Sequence, residues 1–344
     1  MLKICFKAAL AGAALAGALA AGAAQSMAQD VTLRVHHFLP PPSTTHAKVF
    51  VPWAEKVEKE SGGRIKVELY PSMQLGGKPP QLLDQVRDGL ADIVWALPGY
   101  TPGRYPKMSV FELPFMVSTA TATSQAIQEY YEQNATDEWQ DVKVLWFHTH
   151  ARGVIHTISK PVEKAADVAG LKLRAPNREI GGALGELGAS PVFMPVPALP
   201  EALSKGVVDG AVIPWEIVPA LKLYQLTKHH AETPGPRGMY TAVFVFAMNK
   251  AKYDSLPDDL KKVIDDNSGL AMARWTGELW DAAEEPGRKL AADAGNTIVE
   301  LPEAEVAIIR EKTQPITDAW IASMGDNGKA LYDAANALLD KYAE

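Results

Sequence analysis

Two arginines stand where predicted β-strands end, and their side chains could bind an acidic ligand. Arg174 closes the predicted strand 171–174 and is followed by Ala-Pro, while Arg152 comes just after a strand that ends at His148. The planar guanidinium presents a fixed fork of N–H donors that matches the two oxygens of a carboxylate. An exposed surface arginine is the ordinary alternative. Because both arginines would face the crevice at the strand ends, we interpret them as carboxylate anchors.

Aromatic and acidic residues follow other predicted strand ends and would share this crevice. Trp95 and Tyr100 belong to the first part of the chain, and Pro214, Trp215 and Glu216 follow a later strand. Aromatic rings around a few polar groups are typical of a small-ligand pocket, although each ring could equally be a core residue. Glu216 beside a buried arginine would balance its charge or accept a hydrogen bond from a ligand hydroxyl.

Other patterns of reactive residues are poor matches to known sites. The glycines between 181 and 188 lie within an apolar helix rather than in a strand-to-helix turn, so close packing explains them better than a dinucleotide does. The histidines lack the convergent spacing of a zinc site, and we interpret them as partly buried residues at strand ends. No Gly-x-Ser-x-Gly motif is present. We therefore expect no catalytic residues, no metal and no cofactor, with a secreted enzyme for small acids as the alternative class.

The elements that would position these residues alternate between strand and helix. Strand spacing at 31–35, 65–69 and 92–97 alternates with helical spacing at 50–57 and 82–90. A similar α/β unit begins at about residue 142, and a long strand at 239–249 precedes a mostly helical tail with a helix running past Trp280. This order predicts an α/β fold of two lobes, each with a mixed, mostly parallel sheet flanked by helices and with ligands beyond the strand ends.

Length and composition agree with a folded protein of two lobes. The chain has 344 residues, of which 47% are hydrophobic and 22% are charged. A chain of about 300 residues exceeds the size that one core usually serves. The net charge is −7, and no run of Lys or Arg is longer than two residues. These features argue against a nucleic-acid partner, since phosphate backbones require basic surfaces.

The first 28 residues have the features of a cleaved secretory signal peptide. Lys3 and Lys7 precede an Ala/Gly/Leu stretch at 8–24, and Ser26-Met-Ala28 supplies small residues for a signal peptidase. A transmembrane anchor is the alternative, but it requires about 20 strongly apolar residues. Cleavage would remove Cys5, which is the only cysteine, and leave a net charge of −9. We therefore expect a protein without disulfides in a bacterial periplasm.

Five motifs in the same order resemble the DctP-type solute-binding proteins of tripartite ATP-independent periplasmic (TRAP) transporters. Each motif alone is weakly specific, but together they span essentially the whole mature chain. The motifs are SGGRIKVELYP (61–71) with QLG (74–76), LPF (113–115), the block from Lys160-Pro161 to GLKLRAPN (170–177), and GVVDG (206–210), after the signal peptide.

The resemblance implies roles for particular residues. Arg174 would pair with the ligand carboxylate, Asn177 would lie beside the ligand, and Arg152 matches a second, less uniform arginine. Trp215-Glu216 looks like the branch that binds keto acids, in which a glutamate helps to hold a bridging cation. Because Arg152 occupies the place of a cation-binding glutamine, we expect no required metal, with a cation-bridged keto or hydroxy acid as the alternative. His37, Phe38 and Gln74 complete the expected ligand-binding residues.

The resemblance also implies a receptor that closes on an organic acid and delivers it to a membrane permease of a small and a large subunit. A long helix near Trp275 would span both lobes. The lobes would then comprise 29–151 with 239–278, and 152–238 with 279–344. We expect a monomer, and a binding protein of an ABC transporter is the alternative with the same two-lobe logic.

Overall fold

The computed structural model describes residues 31–343, which form two β-sheets surrounded by helices. The predicted signal peptide lies outside the described residues. The strands are β1 (Val31–His36), β2 (Ile65–Tyr70), β3 (Ile93–Ala96), β4 (Val142–Thr149), β5 (Val154–Thr157), β6 (Lys172–Ala175), β7 (Ser190–Phe193), β8 (Gly210–Ile213), β9 (His229–Glu232), β10 (Val243–Asn249) and β11 (Thr297–Glu300).

The helices vary from single turns to a helix of 25 residues. A π-helical turn, Thr45–Phe50, precedes the first of them, and 3₁₀ turns at Pro98–Tyr100 and Trp215–Ile217 follow β3 and β8. The α-helices are α1 (Val51–Glu60), α2 (Leu82–Arg87), α3 (Ala120–Tyr130), α4 (Arg178–Glu186), α5 (Leu199–Ser204), α6 (Leu223–Leu226), α7 (Lys250–Asp254), α8 (Asp258–Asp266), α9 (Gly269–Asp293), α10 (Glu303–Ser323) and α11 (Gly328–Ala343).

The sheet of the first lobe has the strand order β2-β1-β3-β10-β4. β1 pairs in parallel with β2 and β3, as the alternating pattern predicts, while β10 runs antiparallel between β3 and β4. Every side chain of β3 and β10 is buried, because helices cover both faces of the sheet. The largest rings of this core include Trp53, Trp146 and Phe246.

The sheet of the second lobe has the strand order β11-β9-β5-β8-β6-β7. β6 pairs in parallel with β7 and β8, and β9 pairs in parallel with β11, while β5 runs antiparallel to both of its neighbours. The predicted α/β class with two sheets is confirmed. β11 was not expected from the sequence, and its pairing with β9 extends this sheet by one edge strand.

The long helix α9 contacts both lobes, as expected for a helix spanning them. It packs on α3 and β4 of the first lobe and on the turn Trp215–Ile217 of the second. Two glycines permit this approach. A Cβ on Gly277 would collide with the backbone of Thr121, and a Cβ on Gly287 would collide with the carbonyl oxygen of Trp215. Side chains at these positions would force the helix away from one lobe or the other.

Acidic side chains on α9 fix the same two contacts. Asp281 accepts hydrogen bonds from the backbone N–H groups of Ala120 and Thr121 at 2.7 and 2.9 Å, at the start of α3. Glu284 accepts from the N–H groups of Trp215 and Glu216 at 3.3 and 3.0 Å. Both sets of N–H groups belong to the first turn of a helix, where they have no partner within the helix itself. α9 therefore holds one segment of each lobe through carboxyl groups three positions apart.

The last helix departs from the predicted division of the chain. The expected boundary assigns residues 279–344 to the second lobe, whereas α11 packs on α3 of the first lobe. Its buried side chains include Leu338 and Leu339, and Lys341 pairs with Glu129 of α3 at 2.6 Å. The apolar face of α11 therefore covers the first lobe, while α10 packs on α4 of the second.

Two helix boundaries also differ from the sequence pattern. The helix expected to run unbroken past Trp280 is divided between α8 and α9 at Asn267, whose carbonyl accepts the indole N–H of Trp53 at 3.0 Å. α2 ends at Arg87, before Leu90, which is 64% exposed. In α4, close packing explains Gly181, which lies against Phe193, but Gly185 faces open space.

Candidate functional site

A cavity forms where strand ends of the two lobes face each other. On the second lobe, β6 carries Arg174 beside Ala211 of β8, and the turn Trp215–Ile217 follows β8. On the first lobe, β3 carries Trp95, and the turn after it carries Tyr100. Trp95, Tyr100, Arg174 and Glu216 line a cavity that lies between the lobes. Its position matches the expected crevice beyond the strand ends.

Aromatic rings form much of the cavity lining. Trp95 stacks on Phe38 with ring centroids 4.7 Å apart and on Phe244 at 4.8 Å, and Phe244 contacts Trp280 at 5.3 Å. The indole N–H of Trp95 donates to Nε2 of His148 at 2.7 Å, so its one polar atom is satisfied behind the wall. The rings therefore present a fixed apolar surface to the cavity.

Arg174 is the cationic side chain of the cavity lining, and it is only 3% exposed. Its Nε donates to the carbonyl oxygen of Met194 at 3.0 Å, and its terminal nitrogens donate to the carbonyl oxygen of Val212 and the hydroxyl of Tyr100, both at 3.4 Å. All three acceptors are neutral. Within residues 31–343 no Asp or Glu forms an ion pair with it. A buried guanidinium without a carboxylate partner is costly unless a bound anion completes it.

Tyr240 lies in the same part of the cavity as Arg174. Its hydroxyl is buried and has no hydrogen-bond partner. Burial raises the pKa of this phenol well above its usual value, while the charge of Arg174 opposes the rise. Burial lowers the pKa of the His150 imidazole to about 4, and the positive charge of Arg174 contributes to this lowering. The surroundings of Arg174 therefore offer a neutral imidazole and a free O–H donor.

Glu216 is the acidic side chain of the lining, and it is also 3% exposed. Thr44 lies close to its carboxyl group, yet no contact meets hydrogen-bond geometry and both oxygens lack a partner. Burial raises the pKa of Glu216 to about 7 because removing water disfavours the charged form. The cavity therefore contains a buried cation and a buried acid that do not pair with each other.

The structure places six of the predicted residues in this cavity. They are Phe38, Trp95, Tyr100, Arg174, Pro214 and Glu216.

The other predicted residues lie outside it. Asn177 is the N-cap of α4, and its side-chain oxygen accepts from the N–H of Ile180 at 3.0 Å. His37 lies behind the aromatic wall and hydrogen-bonds through Nε2 to His46 at 2.9 Å. Gln74 is exposed in the turn after β2.

Arg152 and Trp215 face a neighbouring cleft rather than the cavity that contains Arg174. The stem of Arg152 lies against Gly238, where there is no side chain to obstruct it, and its Nε donates to the carbonyl oxygen of Ser118 at 3.3 Å. The indole of Trp215 donates to Glu232 at 2.8 Å. The expectation that both arginines face one crevice is therefore not met in this structure.

Several lining residues had not been identified from the sequence. They are contributed by segments that pass between the lobes: His150 after β4, Tyr240 before β10, Phe244 on β10 and Trp280 on α9. The long strand and the long helix were both expected, but their patterns gave no indication that they meet at this cavity. Their aromatic residues were the available signal, since rings near the ends of central strands often line pockets.

Six histidines lie in the interior of the described residues. His36, His37, His148, His150, His156 and His230 are buried. In the part of the chain that the structure describes, no group of three or more His, Cys, Asp or Glu side chains is arranged to hold a metal ion. No helix among residues 31–343 has the length and apolar character needed to cross a bilayer.

The chain is similar to a family of known proteins. The family model DctP, described as bacterial extracellular solute-binding protein, family 7, matches residues 35–323. Among curated proteins, the C4-dicarboxylate-binding periplasmic protein DctP of Rhodobacter capsulatus is 27% identical, over 91% of this chain and 93% of that protein.

Two solved structures have higher sequence identity to this chain than the Rhodobacter capsulatus protein has. A TRAP solute-binding protein from a marine metagenome, specific for aromatic acid ligands and in complex with 3-hydroxybenzoate, is 53% identical with a TM-score of 0.90, covering 92% of this chain and 100% of that one. A TRAP solute-binding protein of Rhodoferax ferrireducens with benzoate is 47% identical with a TM-score of 0.89, covering 91% and 98%. The resemblance found in the motifs is confirmed: the chain belongs to the DctP family of bacterial extracellular solute-binding proteins, the solute receptors of TRAP transporters.

Proposed function

We propose that the protein is a periplasmic receptor for a carboxylic acid with an aromatic body, and that Arg174 is the anchor for the carboxylate. The observation that carries this proposal is a buried guanidinium without an acidic partner in an aromatic-lined cavity. The receptor captures the acid and delivers it to a TRAP permease of a small and a large membrane subunit. It acts as a monomer in the periplasm after removal of the signal peptide, and it needs no cofactor or catalytic residue.

Arg174 can bind a carboxylate because its guanidinium group has more N–H donors than it uses within the protein. Arginine offers five N–H donors in one plane, and Arg174 directs three of its nitrogens to neutral acceptors, two of them at the long distance of 3.4 Å. A ligand carboxylate would replace these weak contacts with charge-assisted hydrogen bonds. The free hydroxyl of Tyr240 supplies a further donor in the same region.

The aromatic lining supports an aromatic or other apolar ligand body. Phe38, Trp95, Phe244 and Trp280 provide flat surfaces held in place by their own stacking contacts. Such surfaces bind a planar ring by dispersion and by exclusion of water. The relatives with bound 3-hydroxybenzoate and benzoate support the same ligand class for this chain.

Capture proceeds by closure of the two lobes over the acid. Tyr100 of the first lobe accepts hydrogen bonds from Arg174 and from the N–H of Val196, both in the second lobe, so these contacts join the lobes across the cavity. Opening would break them and expose Arg174 to solvent. A carboxylate docks on Arg174, and closure then excludes water and strengthens the ion pair. The ligand stabilises the closed form by its greater affinity for that form.

The test is a ligand screen of the purified mature protein. Thermal unfolding is measured with benzoate, 3-hydroxybenzoate, succinate, pyruvate and lactate, and the hits are confirmed by titration calorimetry. A ligand at 100 times its Kd adds about 2.7 kcal/mol to the free energy of unfolding. We expect the aromatic acids to raise the unfolding temperature. Shifts with pyruvate or lactate alone would refute the aromatic ligand class and favour a short keto or hydroxy acid.

A further inference from the structure

Glu216 is a buried acid that lies near Thr44 but has no partner in hydrogen-bond geometry among the described residues. Both carboxyl oxygens are inaccessible to solvent and without a hydrogen bond, although the side chain lines the ligand cavity. Buried polar groups in proteins are nearly always satisfied, so an unsatisfied one in a binding cavity indicates a missing donor. Hydrophobic residues could fill this position at lower cost if the side chain only closed the cavity wall.

The position of Glu216 separates it from the carboxylate anchor. Arg174 and Glu216 line the same cavity, yet no ion pair joins them. The charge of Arg174 acts on Tyr100, His150 and Tyr240. Glu216 instead lies near Thr44 and is influenced by the charge of Lys48, within the π-helical turn Thr45–Phe50 of the first lobe. The cavity therefore has two distinct polar places, with aromatic and aliphatic side chains making up the rest of its lining.

We propose that Glu216 is a specificity-determining residue that accepts a hydrogen bond from a hydroxyl group on the bound acid. The inference rests on the proposed function, because it requires the ligand carboxylate to occupy Arg174. A hydroxylated aromatic acid would satisfy both polar places at once. An unsubstituted acid would leave the Glu216 carboxyl unpaired in a closed cavity, and a site built to hydrogen-bond a hydroxyl discriminates against ligands that lack it.

The protonation behaviour of Glu216 is compatible with an anionic ligand nearby. Since burial raises its pKa to about 7, the carboxyl is partly neutral at neutral pH, and its repulsion of a ligand carboxylate is reduced. In either protonation state the group retains an oxygen that accepts a hydrogen bond.

The experiment compares benzoate with 3-hydroxybenzoate by titration calorimetry on the parent and on Glu216→Met, Glu216→Gln and Glu285→Gln. We expect the parent to bind the hydroxylated acid at least about tenfold more tightly. Glu216→Met should bind both acids about equally, with benzoate no weaker than in the parent. Glu216→Gln should keep part of the preference, because its amide oxygen still accepts. Glu285 is exposed and lines the other cleft, so its variant should match the parent.

A ligand-side measurement tests the same point without any substitution. 3-Methylbenzoate fills the same ring position but has no hydrogen to donate to an oxygen, and the parent should bind it no more tightly than benzoate. Tight binding of 3-methylbenzoate would show that shape alone is recognised and would overturn the inference.

The outcomes separate this inference from the proposed function. If the parent binds both aromatic acids equally, or if Glu216→Met weakens both to the same extent, the specificity role is wrong while the receptor function stands. If the parent binds neither acid, both proposals fail. If replacing sodium by choline weakens binding of both acids to the parent but not to Glu216→Met, Glu216 holds a cation and the hydroxyl role is overturned.

Discussion

Removing the guanidinium of Arg174 should abolish tight binding while leaving the fold intact. The side chain is buried, and closure would bury a ligand carboxylate against it. Truncating one partner of a buried charged pair costs about 2–5 kcal/mol, because the other charge stays buried without a partner. Since about 1.4 kcal/mol corresponds to a factor of ten in affinity, Arg174→Ala should raise the Kd by a factor of about 30 to several thousand.

The assay is titration calorimetry with the best acid from the ligand screen, together with a thermal melt of each ligand-free variant. Arg174→Lys keeps the charge but loses the planar fork, so we expect it to bind at least about tenfold more weakly than the parent. Arg178→Ala is the matched control, since Arg178 is an exposed arginine four positions away. Arg152→Ala tests the arginine of the neighbouring cleft, and because it lies outside the cavity we expect a smaller effect than for Arg174→Ala.

The reasoning would be refuted by near-parental affinity in a folded Arg174→Ala protein. The melt checks that the fold is preserved. Arg174 donates only to neutral acceptors, and its removal also eliminates an unpaired buried charge, so the unfolding temperature of the ligand-free protein should change by no more than about 5 °C. Equal losses in Arg174→Ala and Arg178→Ala would indicate general electrostatic attraction instead of a specific anchor.

Two further predictions concern the helix contacts that support the cavity. Burial raises the pKa of Glu284 from 4.5 to about 8, so between these pH values the folded protein holds a proton that the unfolded chain has released. As the pH rises from 4.5 to 8, the free energy of unfolding of the parent should therefore fall, relative to that of Glu284→Gln, by up to about 1.4 kcal/mol per pH unit. If urea unfolding gives the two proteins parallel profiles of stability against pH, the raised pKa of Glu284 is contradicted. Gly287→Ala should destabilise the fold by about 1–3 kcal/mol, because the added Cβ would push α9 away from Trp215. Gly185→Ala, in open space within α4, should instead stabilise it by about 0.5–1 kcal/mol. Urea unfolding measures both variants, and equal effects would disprove the packing argument.

Local sequence patterns predicted most of the strands and helices and pointed to Arg174 as the proposed anchor. Alternation at 31–35 and 65–69 required strands, and the parallel βαβαβ order followed from their spacing, because periodicity is a property of neighbouring residues. Arg174 was predictable as a candidate because it closes the short predicted strand 171–174, which the structure has at Lys172–Ala175, and Ala-Pro follows it. Glu216 was identified in the same way, by its position after β8.

Tertiary structure alone decided which of these residues share a cavity. Tyr240 and Trp280 line the same cavity as Arg174 because β10 returns to the sheet of the first lobe and α9 contacts both lobes. Such long-range contacts cannot be predicted from the spacing of residues in the sequence. The same return placed α11 on α3 and directed Arg152 into a neighbouring cleft. The amino-acid sequence thus predicted a carboxylate receptor with Arg174 as its proposed anchor. Packing between distant segments decided which polar groups share the cavity and left both oxygens of Glu216 without a hydrogen bond.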